Sequence, residues 1–401
     1  MHTKSTSHTK RIYFDAAATT PVDGRVFAAM EPLFCNAFGN PGSIHVEGVA
    51  AKEMMSRARK TCADVLHAHA DEIVFTSGGT ESNNMAIMGV TMQALKDHEG
   101  DYSKIHVVTS SIEHASVLEV CKELEGRGVR VTYVPVDEDG RIMMDAVKRA
   151  VTRETTLVSV MLANNEIGTA QSIADIAKHI RKVRKGNKEA HAYPYFHTDA
   201  AQAAMWCDVY VEKLGVDLVS VDGHKIYGPK GVGLLYMRRG TKLFPLLFGG
   251  GQEGDMRAGT ESVPLVVGLA KALELAESER IQNVSHITGL RTYFLSRLRA
   301  ELPEAELNGD SAGGMVNIVN ISLLDMDSDF LVISLDERGI ACASKSACHS
   351  NDDSSYVVAA IGKGREAAAS SLRFSMLKDA KKKDVDRVVA ALVEIVEQNR
   401  R

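Results

Sequence analysis

The chain has 401 residues, 45% hydrophobic and 25% charged, the composition of a folded protein large enough to bury a core without disulfides or a structural metal. Its 47 basic and 52 acidic side chains are interspersed and leave a net charge of −5, so no nucleic-acid footprint and no anionic-membrane surface is expected. The apolar stretch at 265–276 is interrupted by Lys271 and Glu274, and the polar first ten residues lack the apolar centre of a secretory signal. Six cysteines, Cys35, Cys62, Cys121, Cys207, Cys342 and Cys348, form no C-x-x-C pair and no zinc-like cluster; a metal-free protein of the reducing cytoplasm is expected.

In chain order, residues 72–76 read as a strand, followed by the glycine pair 78–79 and a helical run from Glu81. Strands follow at 105–109, 129–134, 157–162, 193–196, 217–221 and 233–237, with helices at 115–125, 144–151 and 173–183 between them. This alternation predicts an α/β fold, with a mainly parallel sheet between layers of helices and ligands at the carboxyl ends of the strands. Beyond about Gly268 the pattern changes to a long helix at 269–300, a strand at 314–322, a helix at 330–338, a polar loop at 344–356, a strand at 371–375 and a last helix at 382–399. That reads as a smaller α+β lobe. The expected division is a large domain at 24–278 and a small domain made of 1–23 and 279–401, the latter carrying the loop 344–356.

Polar residues and glycines gather at the ends of these strands. Residues 76–84 read Thr-Ser-Gly-Gly-Thr-Glu-Ser-Asn-Asn; glycines and hydroxyls at a helix opening offer N–H groups and a favourable dipole to a phosphate, although a plain N-cap turn uses the same residues. Asp199, just past an apolar strand, points towards the ligand crevice or caps a helix. Lys225, preceded by Gly223 and His224 at the end of a buried strand, is placed to be desolvated and nucleophilic. An acid followed some twenty-six residues later by such a lysine suits pyridoxal 5'-phosphate: the lysine binds the cofactor covalently and the carboxylate holds the pyridine nitrogen protonated.

These segments, with Glu113-His114, Asn164-Asn165-Glu166-Ile167-Gly168, Asp199-Ala200-Ala201-Gln202, the run from Gly223 through Lys225 to Gly231, Gly249-Gly250-Gly251-Gln252-Glu253, Met256-Arg257-Ala258-Gly259-Thr260 and Leu372-Arg373-Phe374, resemble the class V aminotransferase family, and within it cysteine desulfurases of the NifS/IscS type. The resemblance runs from Tyr13 to the final helix. It implies fold type I of the pyridoxal-phosphate enzymes and assigns roles position by position. Lys225 would hold the cofactor, Asp199 its pyridine nitrogen, and His114 would stack on the ring and take part in proton transfer. Gln202 and Asn165 would lie near the phenolic oxygen, with Asn165 also near the substrate carboxylate. Gly79, Thr80 and His224 would serve the phosphate, Thr260 would reach the phosphate of a second subunit in a homodimer, and Arg373 would grip the substrate carboxylate. Cys348, in its polar loop, would take sulfur from L-cysteine as a persulfide and pass it to an acceptor protein, such as an iron–sulfur scaffold, leaving L-alanine. Selenocysteine lyase, cysteine sulfinate desulfinase and transaminase activities are the alternatives on the same scaffold, and a cofactor-free homologue is the non-enzymatic one.

Two positions depart from the family pattern. Lys345 stands where glycine is usual, three residues before Cys348, and Asp222 stands where a phosphate-binding serine is usual, three residues before Lys225. A carboxylate facing a phosphate is repelled, so Asp222 is expected to be offset by a nearby cation, with His224 the leading partner.

Overall fold

The computed structural model describes residues 11–186, 193–310, 314–344 and 354–400. In chain order its strands are β1 (Ile12–Tyr13), β2 (Ile73–Thr76), β3 (His106–Ser110), β4 (Arg130–Val134), β5 (Leu157–Ser159), β6 (Tyr195–Asp199), β7 (Leu218–Asp222), β8 (Gly233–Met237), β9 (Glu306–Asn308), β10 (Ile318–Ser322), β11 (Ile340–Ala341) and β12 (Ser371–Ser375). Seven of them form one sheet in the order β2-β8-β7-β6-β5-β3-β4, in which β8 alone runs against its neighbours.

Alternate residues of the central strands enter opposite cores, as the two-residue period of a strand requires. Val107, Leu157, Tyr195 and Leu218 face the core built with Ile87, Val90, Val117 and Leu124 of the helices Gly79–Asp97 and Ala115–Gly126. Val108, Val158, Phe196 and Val219 face the other core, with Ile173, Ile176 and Ile180 of Ile173–Lys185 and Leu269 and Leu273 of Val263–Glu301. Both faces are covered, which is why these strands read as near-continuous apolar runs.

The segment 24–70, which carries no predicted element, contributes the helix Val46–Leu66. Its buried residues Gly48, Ala51, Met55, Ala58, Cys62 and Leu66 recur at steps of three or four, a seam that packs along Val263–Glu301. Val263–Glu301 starts earlier than predicted, with proline in its first turn. β10 starts later, at Ile318, because Gly314 takes φ 95° and the Met315 N–H bonds to Gly168 O instead.

The remaining strands make a three-stranded antiparallel sheet, β12-β10-β9, and a parallel pair, β1-β11. Phe14 N–H continues from β1 to Ala341 O, and Ala16 N–H reaches Ser375 O. The first described residues are thereby stitched to the C-terminal elements. None of the helices, among the described residues, is long and apolar enough to cross a membrane.

Candidate active site

Four chain junctions build the carboxyl edge of the central sheet. After β2 the chain turns at Gly78, whose φ of 149° is seldom open to residues with a side chain, and enters the helix Gly79–Asp97. β8 passes so close that a Cβ on Gly233 would stand 2.8 Å from the Gly78 backbone. After β3 the chain passes Glu113 and reaches His114, the N-cap of Ala115–Gly126. There the His114 Nδ1 accepts the Ser116 N–H at 3.2 Å and lies 2.8 Å from Ser116 Oγ. Glu113 is wholly buried, and that burial pushes its carboxyl up to about 8, despite hydrogen bonds from Ser110 Oγ and Met161 N–H.

β6 ends on Asp199. Its Oδ1 accepts the Ala201 N–H at 2.9 Å and its Oδ2 accepts Asn83 Nδ2 at 2.7 Å, so the carboxylate is aimed by neutral donors. β7 ends on Asp222 and runs into the short 3-10 turn Gly223–Lys225. Lys225 Nζ donates to the carbonyls of Ala17 at 2.6 Å and Ala18 at 2.9 Å, and Gln202 Nε2 donates to the same Ala17 carbonyl at 2.7 Å. Two residues beyond the lysine, Tyr227 is held at φ 62°, a strained value for an aromatic residue. It is tied down by its N–H to Thr20 Oγ1 at 2.9 Å and by its hydroxyl, which accepts the Lys378 N–H at 2.7 Å.

Arg373 comes from β12 and is only 1% exposed. One terminal nitrogen donates to Asp15 Oδ1 at 2.9 Å and the other to the Asn165 carbonyl at 3.1 Å. Its Nε and the Asn165 Oδ1 are buried without a hydrogen-bond partner among the described residues. Buried polar atoms seldom stay unpaired, so the pair signals a polar ligand.

Gly79, Thr80, His114, Asn165, Asp199, Gln202, His224, Lys225 and Arg373 all line one cavity. Thr260 is not among its lining residues; it is exposed. Cys348 and Lys345 lie outside the described residues. Cys342 is buried, and burial pushes its thiol up to about 12, so it serves as a small packing side chain.

Asp222 behaves in two ways, one of them foreseen. Its Oδ2 stands 3.4 Å from His224 Nε2, the expected pairing. It also accepts the Gly79 N–H at 2.8 Å, occupying a donor that the phosphate-cradle reading left for an anion. Burial works to raise this carboxyl, but His224 and the Gly79 N–H outweigh it and hold it below the usual carboxylate range. Sequence reading also passed over Asn83, Ser116 and Asp15. Asn83 sits inside the run 76–84, and nothing local marks it or Asp15 as a site residue.

The aminotransferase class-V family model matches residues 12–388. The chain belongs to that family. It is 40% identical over 392 residues to the cysteine desulfurase IscS of Dictyoglomus turgidum, covering 98% of this chain and 96% of that protein. It is 43% identical over 392 residues to the IscS of Methanosarcina thermophila, covering 98% and 93%. Among solved structures, a NifS-like protein superposes with a TM-score of 0.88 at 34% identity, over 96% of this chain and 99% of that one. A structure described as SspA in complex with cysteine gives 0.76 at 34% identity, over 91% and 98%. The fold is the expected fold type I.

The family's cofactor is pyridoxal 5'-phosphate, and the cavity's donor set fits it. A lysine amine, a carboxylate with capacity to accept a further proton donor, and an imidazole converge there with the amino end of a helix. The orphaned Arg373 Nε is a donor left for an acceptor of the ligand, and the orphaned Asn165 Oδ1 an acceptor left for a donor of the ligand.

Proposed function

We propose that this chain is a pyridoxal-phosphate-dependent cysteine desulfurase, converting L-cysteine to L-alanine and handing the sulfur on through a persulfide on Cys348. The observation that carries the reading is the cavity itself, where Lys225, Asp199 and the unsatisfied Arg373–Asn165 pair meet in a chain about 40% identical to IscS proteins over nearly its whole length.

When bound, the cofactor supplies an electron sink for the bonds of the substrate's α-carbon. Lys225 would hold it, with Asp199 opposite the ring nitrogen, His114 against the ring, Gln202 near the phenolic oxygen, and Gly79, Thr80 and His224 at the phosphate. Arg373 offers its fork to the substrate carboxylate with Asn165 beside it, which orients Cα towards Lys225. The amine of Lys225 then moves the α-proton. Cys348 attacks as thiolate: a bond forms between its Sγ and the substrate sulfur, the substrate Cβ–Sγ bond breaks with its electron pair left on carbon, a proton is delivered to Cβ, and return of the α-proton from Lys225 to Cα completes L-alanine. Transfer from the persulfide to a second protein, such as an iron–sulfur scaffold or a thiolation partner, restores the thiol.

We assign residues 24–278 to the cofactor-binding lobe and residues 1–23 with 279–401 to a smaller lobe carrying the cysteine loop. The stitching of β1 to β11 and of Ala16 to Ser375 supports that division. A homodimer is supported by the exposed Thr260, by exposed Phe34, Phe38, Ile44 and Phe248, and by the groove that sets Pro41 and Gly42 beside Gly251 and Gln252. The five described cysteines are all free, which supports a cytoplasmic setting.

The test compares the purified protein with Cys348→Ala. The parent is expected to be yellow and to release alanine and sulfur in equal amounts from L-cysteine. The variant is expected to keep the colour and the spectral response to L-cysteine while forming no persulfide. Sulfide release by the variant at the parent rate would overturn the persulfide route and leave a lyase.

A further inference from the structure

Two side chains outside the assigned set, Asn83 and Ser116, join His114 to Asp199. Asn83 Nδ2 lies 2.7 Å from Asp199 Oδ2 and 2.8 Å from Ser116 Oγ, and Ser116 Oγ lies 2.8 Å from His114 Nδ1. The Ser116 backbone N–H also points at that nitrogen, at 3.2 Å. All four residues line the cavity, and Asn83 is 1% exposed.

The chemistry of the partners fixes the direction of each bond. A carboxylate only accepts, so Asn83 must turn its NH2 group and not its oxygen towards Asp199. The second N–H of the same group then donates to Ser116 Oγ. With that lone pair used, the hydroxyl's own proton is free to point at His114 Nδ1. A backbone N–H can only donate, so Nδ1 faces two donors and must be an acceptor. A proton on Nδ1 would confront the Ser116 N–H, which has no way to reverse.

We propose that Asn83 and Ser116 are positioning residues: they commit the Nδ1 of His114 as a hydrogen-bond acceptor, so that the ring exchanges protons only at Nε2, and they tie its orientation to Asp199. This deepens the desulfurase reading, because His114 and Asp199 are the groups which that reading sets against the two sides of the cofactor's chemistry. Asn83 serves both ends at once. A change at Asp199 therefore reaches the imidazole through one amide and one hydroxyl.

The experiment is 15N NMR of protein labelled at histidine, with His114→Gln used to assign the signal, recorded without cofactor and again with it. The parent is expected to show His114 with a bare Nδ1 and a protonated Nε2. Asn83→Ala is expected to move the Nδ1 resonance downfield, towards a nitrogen that has lost a hydroxyl donor. In a Ser116→Ala background the same substitution is expected to add no further shift, and Ser116→Thr is expected to restore the parent response. A proton on Nδ1 in the parent, or an equal effect of Asn83→Ala in both backgrounds, would overturn the proposal. The tautomer measurement on the parent needs no variant, so the proposal stays falsifiable if Asn83→Ala does not fold. The signal is read without L-cysteine, so its failure would leave the desulfurase reading standing, and loss of desulfurase activity would not mimic it.

Discussion

Replacing Asp222 by serine should tighten the binding of pyridoxal 5'-phosphate. The Asp222 carboxylate is 9% exposed, and it accepts the Gly79 N–H at 2.8 Å and the His224 N–H at 3.2 Å while facing the His224 ring at 3.4 Å. Its pKa is depressed in the folded protein, so it is charged at neutral pH. A charge about 4 Å from one phosphate charge costs roughly 4 kcal/mol at an effective dielectric of 20. The neighbouring His224, when protonated, cancels part of that. Serine would keep one of the capping bonds, so the loss in local stability should be about 1 kcal/mol. If a third to two-thirds of the repulsion survives His224, affinity should rise on the order of tenfold to a hundredfold, at about 1.4 kcal/mol per decade. The assay titrates cofactor-free parent and Asp222→Ser with pyridoxal 5'-phosphate and, separately, with pyridoxal, following the visible band. Only the phosphorylated ligand should gain. A variant that binds the phosphate ester several-fold worse, or that changes equally for pyridoxal, would refute the reasoning and make the carboxylate a constructive part of the cradle.

Three further outcomes can be measured. Glu113 is held protonated in the fold, with its pKa raised from 4.5 to about 8, so the unfolded chain sheds a proton that the folded one keeps as pH rises between those values. That costs nothing below about pH 4.5 and grows towards pH 8; Glu113→Gln should match the parent in urea unfolding near pH 4.5 and exceed it by a few kcal/mol at pH 8.5, and a pH-independent difference would refute this. Arg373→Lys gives up the planar fork for a point charge, so the KM for L-cysteine should rise about ten- to a hundredfold while the cofactor's absorbance stays; a fall in kcat alone would contradict the carboxylate role. Arg59 holds Glu253, whose side chain is 2% exposed, at 2.6 Å, so Arg59→Met should destabilise the fold by about 3–5 kcal/mol, with Glu253→Gln added on top recovering much of the loss in thermal unfolding.

Local chemistry made much of this protein legible in its sequence. Glycines, an acid and a lysine at the ends of apolar strands marked the ligand edge of the sheet, because only residues just past a buried strand can reach that edge. β8 and β12 and the last helix, Lys382–Asn399, have the limits predicted for them. The helix Val46–Leu66 escaped notice because its seam is made largely of glycine and alanine, whose burial shows only against the partner helix. The tertiary structure alone decided the pairings. Asp15 meets Arg373 across 358 residues, Asn83 meets Asp199 across 116, and the Gly79 N–H meets Asp222 across 143. A periodicity extends over one element, whereas a hydrogen bond between two elements depends on how their strands are ordered and aligned in the sheet, and that order is settled only when the whole core packs.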